Sequence, residues 1–109
     1  MSADVDAAFD RVAHAFARDR RVSRGSKTGR GFGSTGLKVD GKLFALVSSR
    51  REFVVKLPKA RTHALVAEGV GVFWDPGHGR LMKEWIAINE NDARWLELAK
   101  EARLFVGGG

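Results

Sequence analysis

The chain has 109 residues, of which 44% are hydrophobic and 29% charged, with no cysteine and a formal net charge of +6. This length suits one domain, and the composition is that of a globular rather than a disordered protein. The absence of cysteine excludes disulfides and thiolate metal sites, and no run approaches the roughly 18 apolar residues of a membrane span. We therefore expect one cytoplasmic domain over residues 1–109, ordered from about 4 to 106, without membrane association.

The predicted elements begin with a helix and a glycine-rich segment. Val5, Phe9, Val12 and Phe16 form one apolar stripe at helical spacing, which predicts a first helix of about four turns. Residues 21–36 are rich in arginine, serine and threonine and contain five glycines. This composition predicts that residues 21–35 form a flexible basic loop.

Three strands are predicted next, and then a short helix, two strands and a final helix. The dipeptide Asp40-Gly41 is a favoured hairpin turn, and it joins strands predicted over residues 36–39 and 42–48. A third strand covers residues 52–57, a helix covers 58–68, two strands cover 70–74 and 81–88, and a helix continues to about 105. The order predicts an α+β fold, a two-layer α-β3-α-β2-α domain whose antiparallel sheet is packed by helices.

The second predicted strand is apolar on both faces. In a regular strand Leu43, Ala45 and Val47 point to one side, and Phe44 and Leu46 point to the other. A sheet coated on one face only should carry polar residues on its second face. We therefore expect either helices on both faces of the sheet or a homodimer that covers the second face.

The positive charge is concentrated in one segment. Residues 18–30 contain six basic side chains and one acid, whereas the remainder of the chain is nearly neutral. The six are Arg18, Arg20, Arg21, Arg24, Lys27 and Arg30. Arginine and lysine among serine, threonine and glycine suit contact with a phosphate backbone without base readout. The alternative is a solvated loop whose charge favours solubility and complements the end of the first helix.

Motifs for catalysis and cofactor binding are weak. Residues 31–36 have the letters G-x-G-x-x-G, but a strand follows them where the dinucleotide motif requires a helix. The histidines His14, His63 and His78 fall in separate elements, without the spacing of a metal site or a nucleophile motif. We therefore predict that the protein is not an enzyme and has no cofactor and no metal site.

The three tryptophans bear on nucleotide stacking. Trp85 and Trp95 share apolar faces with their neighbours in a predicted strand and a predicted helix, which favours core packing. Trp74 lies beside a turn, and it is therefore the candidate for stacking on a base.

Several short stretches together resemble the TfoX/Sxy N-terminal-domain family, particularly its short single-domain members. These stretches are Gly31-Phe32-Gly33 with Gly36-Leu37, Asp40-Gly41-Lys42-Leu43-Phe44-Ala45, Val54-Val55-Lys56-Leu57-Pro58, Gly69, and Gly79-Arg80-Leu81-Met82-Lys83-Glu84-Trp85. The resemblance covers about residues 9–105, and a more distant one links the chain to the YjbR-like proteins. It implies the same two-layer fold and brings no established catalytic residues. The family name comes from regulators of DNA-uptake competence.

These observations predict a non-enzymatic binding and regulatory domain that associates with nucleic acid, weakly and without sequence preference, through the basic loop. Arg50 and Arg51 would extend this site if they lie near the loop. The alternative is a homodimeric protein-interaction adaptor that binds no nucleic acid. Serine replacements in the loop should weaken binding and leave thermal stability nearly unchanged, because a flexible loop has few packed contacts. The replaced residues would be Arg20, Arg21, Arg24 and Lys27.

Overall fold

The computed structural model describes residues 5–24, 36–48, 50–75, 82–88 and 94–108. These ranges form three helices packed on one six-stranded antiparallel sheet, which confirms the predicted α+β class. The sheet order is β1-β2-β3-β4-β6-β5. In chain order the elements are α1 (Val5–Ala15), β1 (Val22–Arg24), β2 (Leu37–Val39), β3 (Lys42–Val47), β4 (Phe53–Lys56), α2 (Lys59–Ala67), β5 (Gly71–Trp74), β6 (Met82–Ile88) and α3 (Trp95–Gly107).

The first group of strands contains one more strand than predicted. Residues 22–24 form β1, which pairs with β2 from Val22 opposite Val39 to Arg24 opposite Leu37. The prediction of a flexible loop is therefore wrong for residues 22–24. A strand of three residues with one apolar side chain has too little alternation to be seen in the sequence. Residues 25–35 lie outside the described ranges, and the loop prediction remains untested there.

The predicted hairpin turn joins β2 to β3. Asp40 and Gly41 both have positive φ, 52° and 81°. Positive φ at both central residues is typical of a type I′ turn, whose twist matches that of the flanking strands. Glycine adopts this region without a side-chain clash, and aspartate is among the few other residues that tolerate it. The hairpin prediction is confirmed.

A β-bulge in β3 changes which residues face the helices. Leu43 and Ala45 lie opposite consecutive residues of β2, so Phe44 is the extra residue of the pair. Phe44 and Ala45 consequently both join the core beneath the helices, whereas Leu43 and Leu46 lie in the apolar cluster of the other face. The prediction that Phe44 and Leu46 share a face is wrong, because alternation is interrupted at the bulge.

The main core lies between the helices and one face of the sheet. The predicted stripe of α1 is buried there through Phe9, Val12 and Phe16. The ring centroid of Phe9 lies 6.0 Å from that of Phe53, and the Phe53 ring stacks on Trp95 at 4.3 Å. Phe53 belongs to β4 and thus connects α1 with α3 through the middle of the core.

The other face of the sheet carries a smaller apolar cluster formed by Leu46, Val54, Trp74 and Ala87. Each of these residues is at most 3% exposed. Leu46 and Val54 are therefore buried within a single chain, without a second copy of the protein. Trp74 is buried as well, and a ring in this environment offers little surface for stacking on a base. Among the described residues, no helix combines the length and apolarity needed to cross a membrane.

Candidate functional site

Four of the predicted basic residues lie at one end of the sheet. Arg18, Arg20 and Arg21 belong to the turn between α1 and β1, and Arg24 ends β1. All four are exposed at the residue level. Lys27 and Arg30, the other two residues of the predicted basic segment, lie outside the described ranges.

Arg21 is held by the hairpin between β2 and β3. Its Nε donates to both carboxylate oxygens of Asp40, at 3.0 and 2.9 Å, and its Nη2 donates to the carbonyl oxygen of Gly107 at 2.6 Å. The backbone N–H of Asp40 donates in return to the Arg21 carbonyl at 2.9 Å. The side-chain hydrogen bond lowers the pKa of Asp40 and raises that of Arg21. Arg21 therefore joins the hairpin to the end of α3.

A second ion pair links the turn after α1 to α3. The Nε of Arg103 donates to Oδ2 of Asp19 at 2.7 Å, and both side chains are partly buried. The Oδ1 of Asp19 accepts a hydrogen bond from the backbone N–H of Arg21 at 3.1 Å. The hydrogen bond from Arg103 is the main reason why the pKa of Asp19 is lowered.

Arg24 contacts α1 in two ways. Its Nη2 lies 2.7 Å from Oδ1 of Asp10, and its guanidinium carbon lies 5.2 Å from the ring centroid of Phe9. The first contact is an ion pair, and the second has the geometry of a cation–π interaction. Two of the four described arginines in the predicted segment, Arg21 and Arg24, are thus engaged within the protein.

We define the basic corner as residues 18–24 and 38–42. It contains six cations and two acids, and both acids, Asp19 and Asp40, already bind arginines. Within the described ranges, four cations of the corner have no ion pair; these are Arg18, Arg20, Lys38 and Lys42. Lys38 is partly buried, and the other three are exposed. The corner therefore keeps a positive surplus after its internal ion pairs have formed.

Lys38 and Lys42 were not among the residues singled out from the sequence. They flank the predicted Asp40-Gly41 turn, and β1 lies beside β2, so the sheet brings them to the α1–β1 end of the molecule. The hairpin itself was visible in the sequence. The pairing that places the basic segment next to it was not, because β1 was not predicted.

The candidates Arg50 and Arg51 lie in the turn between β3 and β4, which is at the opposite end of β3 from the hairpin. Six residues of strand span roughly 20 Å, so the structure does not bring these arginines next to Arg21. Arg50 lies 3.5 Å from Glu52 and donates to the carbonyl of Asp75. Arg51 is exposed and has a positive φ of 68°.

A cleft of about 350 Å³ lies between α1 and β1. Ala13 and His14 of α1 and Ala17 of the following turn line one side, and all three residues of β1 line the other. The ion pair between Arg24 and Asp10 crosses the cleft at the end remote from the α1–β1 turn. The volume is near the lower limit of small-ligand sites.

The described histidines do not come together. His14 lines the cleft, and His63 packs edge-on against Phe73 with ring centroids 4.8 Å apart. His78 lies outside the described residues. In the part of the chain that the structure covers, no three histidine, aspartate or glutamate side chains are grouped closely enough to share a metal ion.

The fold and the corner together define a small α+β domain with a cationic surface at one edge of an antiparallel sheet. Comparison with known proteins found no matching family model, no matching curated protein and no matching solved structure. The resemblance to the TfoX/Sxy N-terminal domains therefore remains a prediction based on short stretches of sequence.

Proposed function

We propose that this protein is a non-enzymatic binding and regulatory domain that associates with nucleic acid through the basic corner. The observation that carries the proposal is the surplus of cations at the corner. Asp19 and Asp40 already bind arginines, so Arg18, Arg20 and the two lysines are not neutralised from within. Cations distributed in this way suit contact with phosphates and do not require base readout.

Two features of the sequence support the same proposal. Lys27 and Arg30 lie in the chain between β1 and β2, and we include them in the proposed site. The resemblance to a family named for regulators of DNA uptake is in accord with a regulatory role. The corner is separate from Arg50 and Arg51, which we assign to a secondary contact region at the other end of β3.

Salt-dependent binding to a DNA duplex of arbitrary sequence tests the proposal. Each neutralised phosphate of a duplex contributes about −0.9 to the slope of log affinity against log salt, so the four described cations should contribute roughly −3.6. The double variant Arg18→Ser/Arg20→Ser should make the slope shallower by about 1.8. Fluorescence anisotropy from ~50 mM salt upward measures both slopes.

The matched control removes two positive charges elsewhere. Lys59 begins α2 and Lys83 lies in β6, and both are exposed. In the strand order, β6 belongs to the half of the sheet that is remote from β1. Replacement of the two lysines with serine should leave the slope unchanged. Equal effects of the two double variants would show that binding depends only on the overall charge of the protein. An absence of wild-type binding at ~50 mM salt would refute the proposal.

The homodimeric adaptor remains the alternative prediction. The sequence suggested a dimer because the second face of the sheet is apolar. Leu46 and Val54 are buried within one chain, which weakens that reason. Sedimentation at high micromolar concentration, without nucleic acid, measures the oligomeric state directly. A stable dimer that does not bind a duplex would favour the adaptor.

A further inference from the structure

β1 is an edge strand whose outer side carries backbone hydrogen-bonding groups. The N–H of Asp40 donates to the carbonyl of Arg21, so these two residues form a hydrogen-bonded pair of the β1–β2 ladder. Because such pairs alternate along an antiparallel ladder, the carbonyl of Val22 and the N–H of Arg24 point away from β2. Within the described ranges, neither group has a backbone partner on that side. An added strand would satisfy both groups at once.

The cleft provides space for side chains beside this edge. Ala13, Ala17 and Val22 line it with small or branched apolar side chains, and all three residues of β1 belong to its lining. An extended peptide between a helix and an edge strand is a recurring mode of recognition, in which the main chain supplies affinity and alternate side chains enter pockets. The cleft and the edge together fit a single extended segment.

Charge determines which segment is favoured. Arg18 and Arg20 follow α1 at the end of the cleft where the chain turns into β1, and neither has an ion pair among the described residues. Asp10, the acid in the cleft, is paired with Arg24 at the other end. A second copy of this chain would bring the same surplus of cations to the interface, which disfavours self-pairing.

We propose that the edge of β1 and the adjoining cleft bind an extended acidic peptide of a partner protein, which adds to the sheet as a seventh strand. This site differs from the proposed nucleic-acid contact in its use of the backbone of Val22 and Arg24. The two sites share Arg18 and Arg20, so an acidic peptide and a nucleic acid would compete. The peptide site does not require the proposed function to be correct.

Amide hydrogen exchange at Arg24 tests the proposal with a synthetic peptide of alternating valine and glutamate. The outward N–H of Arg24 should become protected when the peptide binds, and the amides of β5, at the other edge of the sheet, should not change. A peptide of alternating valine and lysine should bind at least about tenfold more weakly. The acidic peptide with N-methyl groups on its bonding edge should bind at least about tenfold more weakly, because it cannot donate to the Val22 carbonyl and its methyl groups keep the two backbones apart.

Filling the cleft should block the same peptide. Ala17 is exposed and lines the cleft, so Ala17→Phe should weaken binding at least about tenfold. Ala67→Phe, at an exposed position of α2, is the control and should bind normally. Circular dichroism verifies that both variants fold.

Three results would overturn the proposal. The first is unchanged exchange at Arg24 in millimolar acidic peptide, and the second is equal binding of the N-methylated peptide. The third is protection of Arg24 that rises with protein concentration alone, which would make a second copy the occupant. Duplex DNA should leave exchange at Arg24 unchanged, so the failure of either proposed site can be recognised separately.

Discussion

Within the described ranges, two residues other than glycine, Asp40 and Arg51, have a positive φ, and they differ in how well they tolerate it. Asp40 occupies a turn that aspartate tolerates, and its carboxylate binds Arg21. Arginine does not share this tolerance, and the left-handed region costs a residue with an ordinary side chain roughly 1–2 kcal/mol in conformational free energy. Hydrogen bonds hold the Arg51 turn, including those from the Arg51 N–H to the Ser48 carbonyl and from the Ser48 N–H to the Glu52 carbonyl.

Arg51→Gly should therefore raise the free energy of unfolding by up to about 1 kcal/mol, because glycine removes the left-handed strain but gains entropy in the unfolded chain. Urea unfolding measures the change. Arg50→Gly is the control, and it should not be stabilising, since it removes the contacts with Glu52 and the Asp75 carbonyl. A lower unfolding midpoint for Arg51→Gly would show that the side chain of Arg51 outweighs the strain.

The carboxylates of the corner should make stability depend on acid pH. Asp19 and Asp40 have a pKa below the ordinary value of 3.8 in the folded protein, because each accepts hydrogen bonds from an arginine. A depressed folded pKa gives stability that is present above the unfolded pKa and is lost as pH falls through the folded pKa. Asp40→Asn should lower the urea midpoint at pH 7, with a difference from wild type that shrinks below about pH 4. A constant difference down to pH 2 would contradict this.

At the scale of elements, the sequence predicted those with strong local signals. The stripe of Phe9, Val12 and Phe16 identified α1, and Asp40-Gly41 identified the hairpin. β1 was missed because three residues with one apolar side chain carry almost no pattern, and its partner β2 determines its conformation. The bulge at Phe44 was missed because its cause is the pairing of two strands rather than the sequence of one.

The aromatic contacts of β4 should dominate the stability of the helix layer. Phe53 is 1% exposed and lies between Phe9 and Trp95. Phe53→Ala therefore leaves a cavity and removes the ring contacts by which α1 and α3 pack on the sheet. We expect a loss of about 3–5 kcal/mol in the free energy of unfolding. Phe105→Ala makes the same chemical change at a residue that is 39% exposed, and it should cost much less. Similar losses for the two variants in urea unfolding would contradict this role of Phe53.

At the scale of the whole molecule, the corner separates arginines that hold the fold from cations that face solvent. Arg21 and Arg24 connect the hairpin, α3 and α1 to β1, whereas Arg18 and Arg20 make no ion pair within the described ranges. The sequence identified the basic segment but could not sort its members. Their partners come from tertiary folding, and Asp40 is 19 positions from Arg21.

Two double variants with the same change in charge should therefore behave differently. Arg21→Ser/Arg24→Ser should lower the melting temperature, unlike the expectation from the sequence that joint replacement of Arg20, Arg21, Arg24 and Lys27 leaves stability nearly unchanged. Arg18→Ser/Arg20→Ser should keep the melting temperature near that of wild type and weaken duplex binding. Differential scanning calorimetry and the anisotropy titration measure the two properties. Equal melting temperatures of the two variants would show that the ion pairs contribute little.

The contacts between the corner and α3 also bear on the order in which a nascent chain acquires its structure. The hairpins of β2 with β3 and of β5 with β6 join segments close in sequence, so they can form soon after synthesis. The hydrogen bonds from Arg103 to Asp19 and from Arg21 to Gly107 join residues 84 and 86 positions apart. These two contacts can therefore form only after α3 has been synthesised, whereas Phe9 of α1 can already pack on Phe53 of β4. During translation, the hydrogen bonds between the turn after α1 and α3 are therefore formed later than the hairpins.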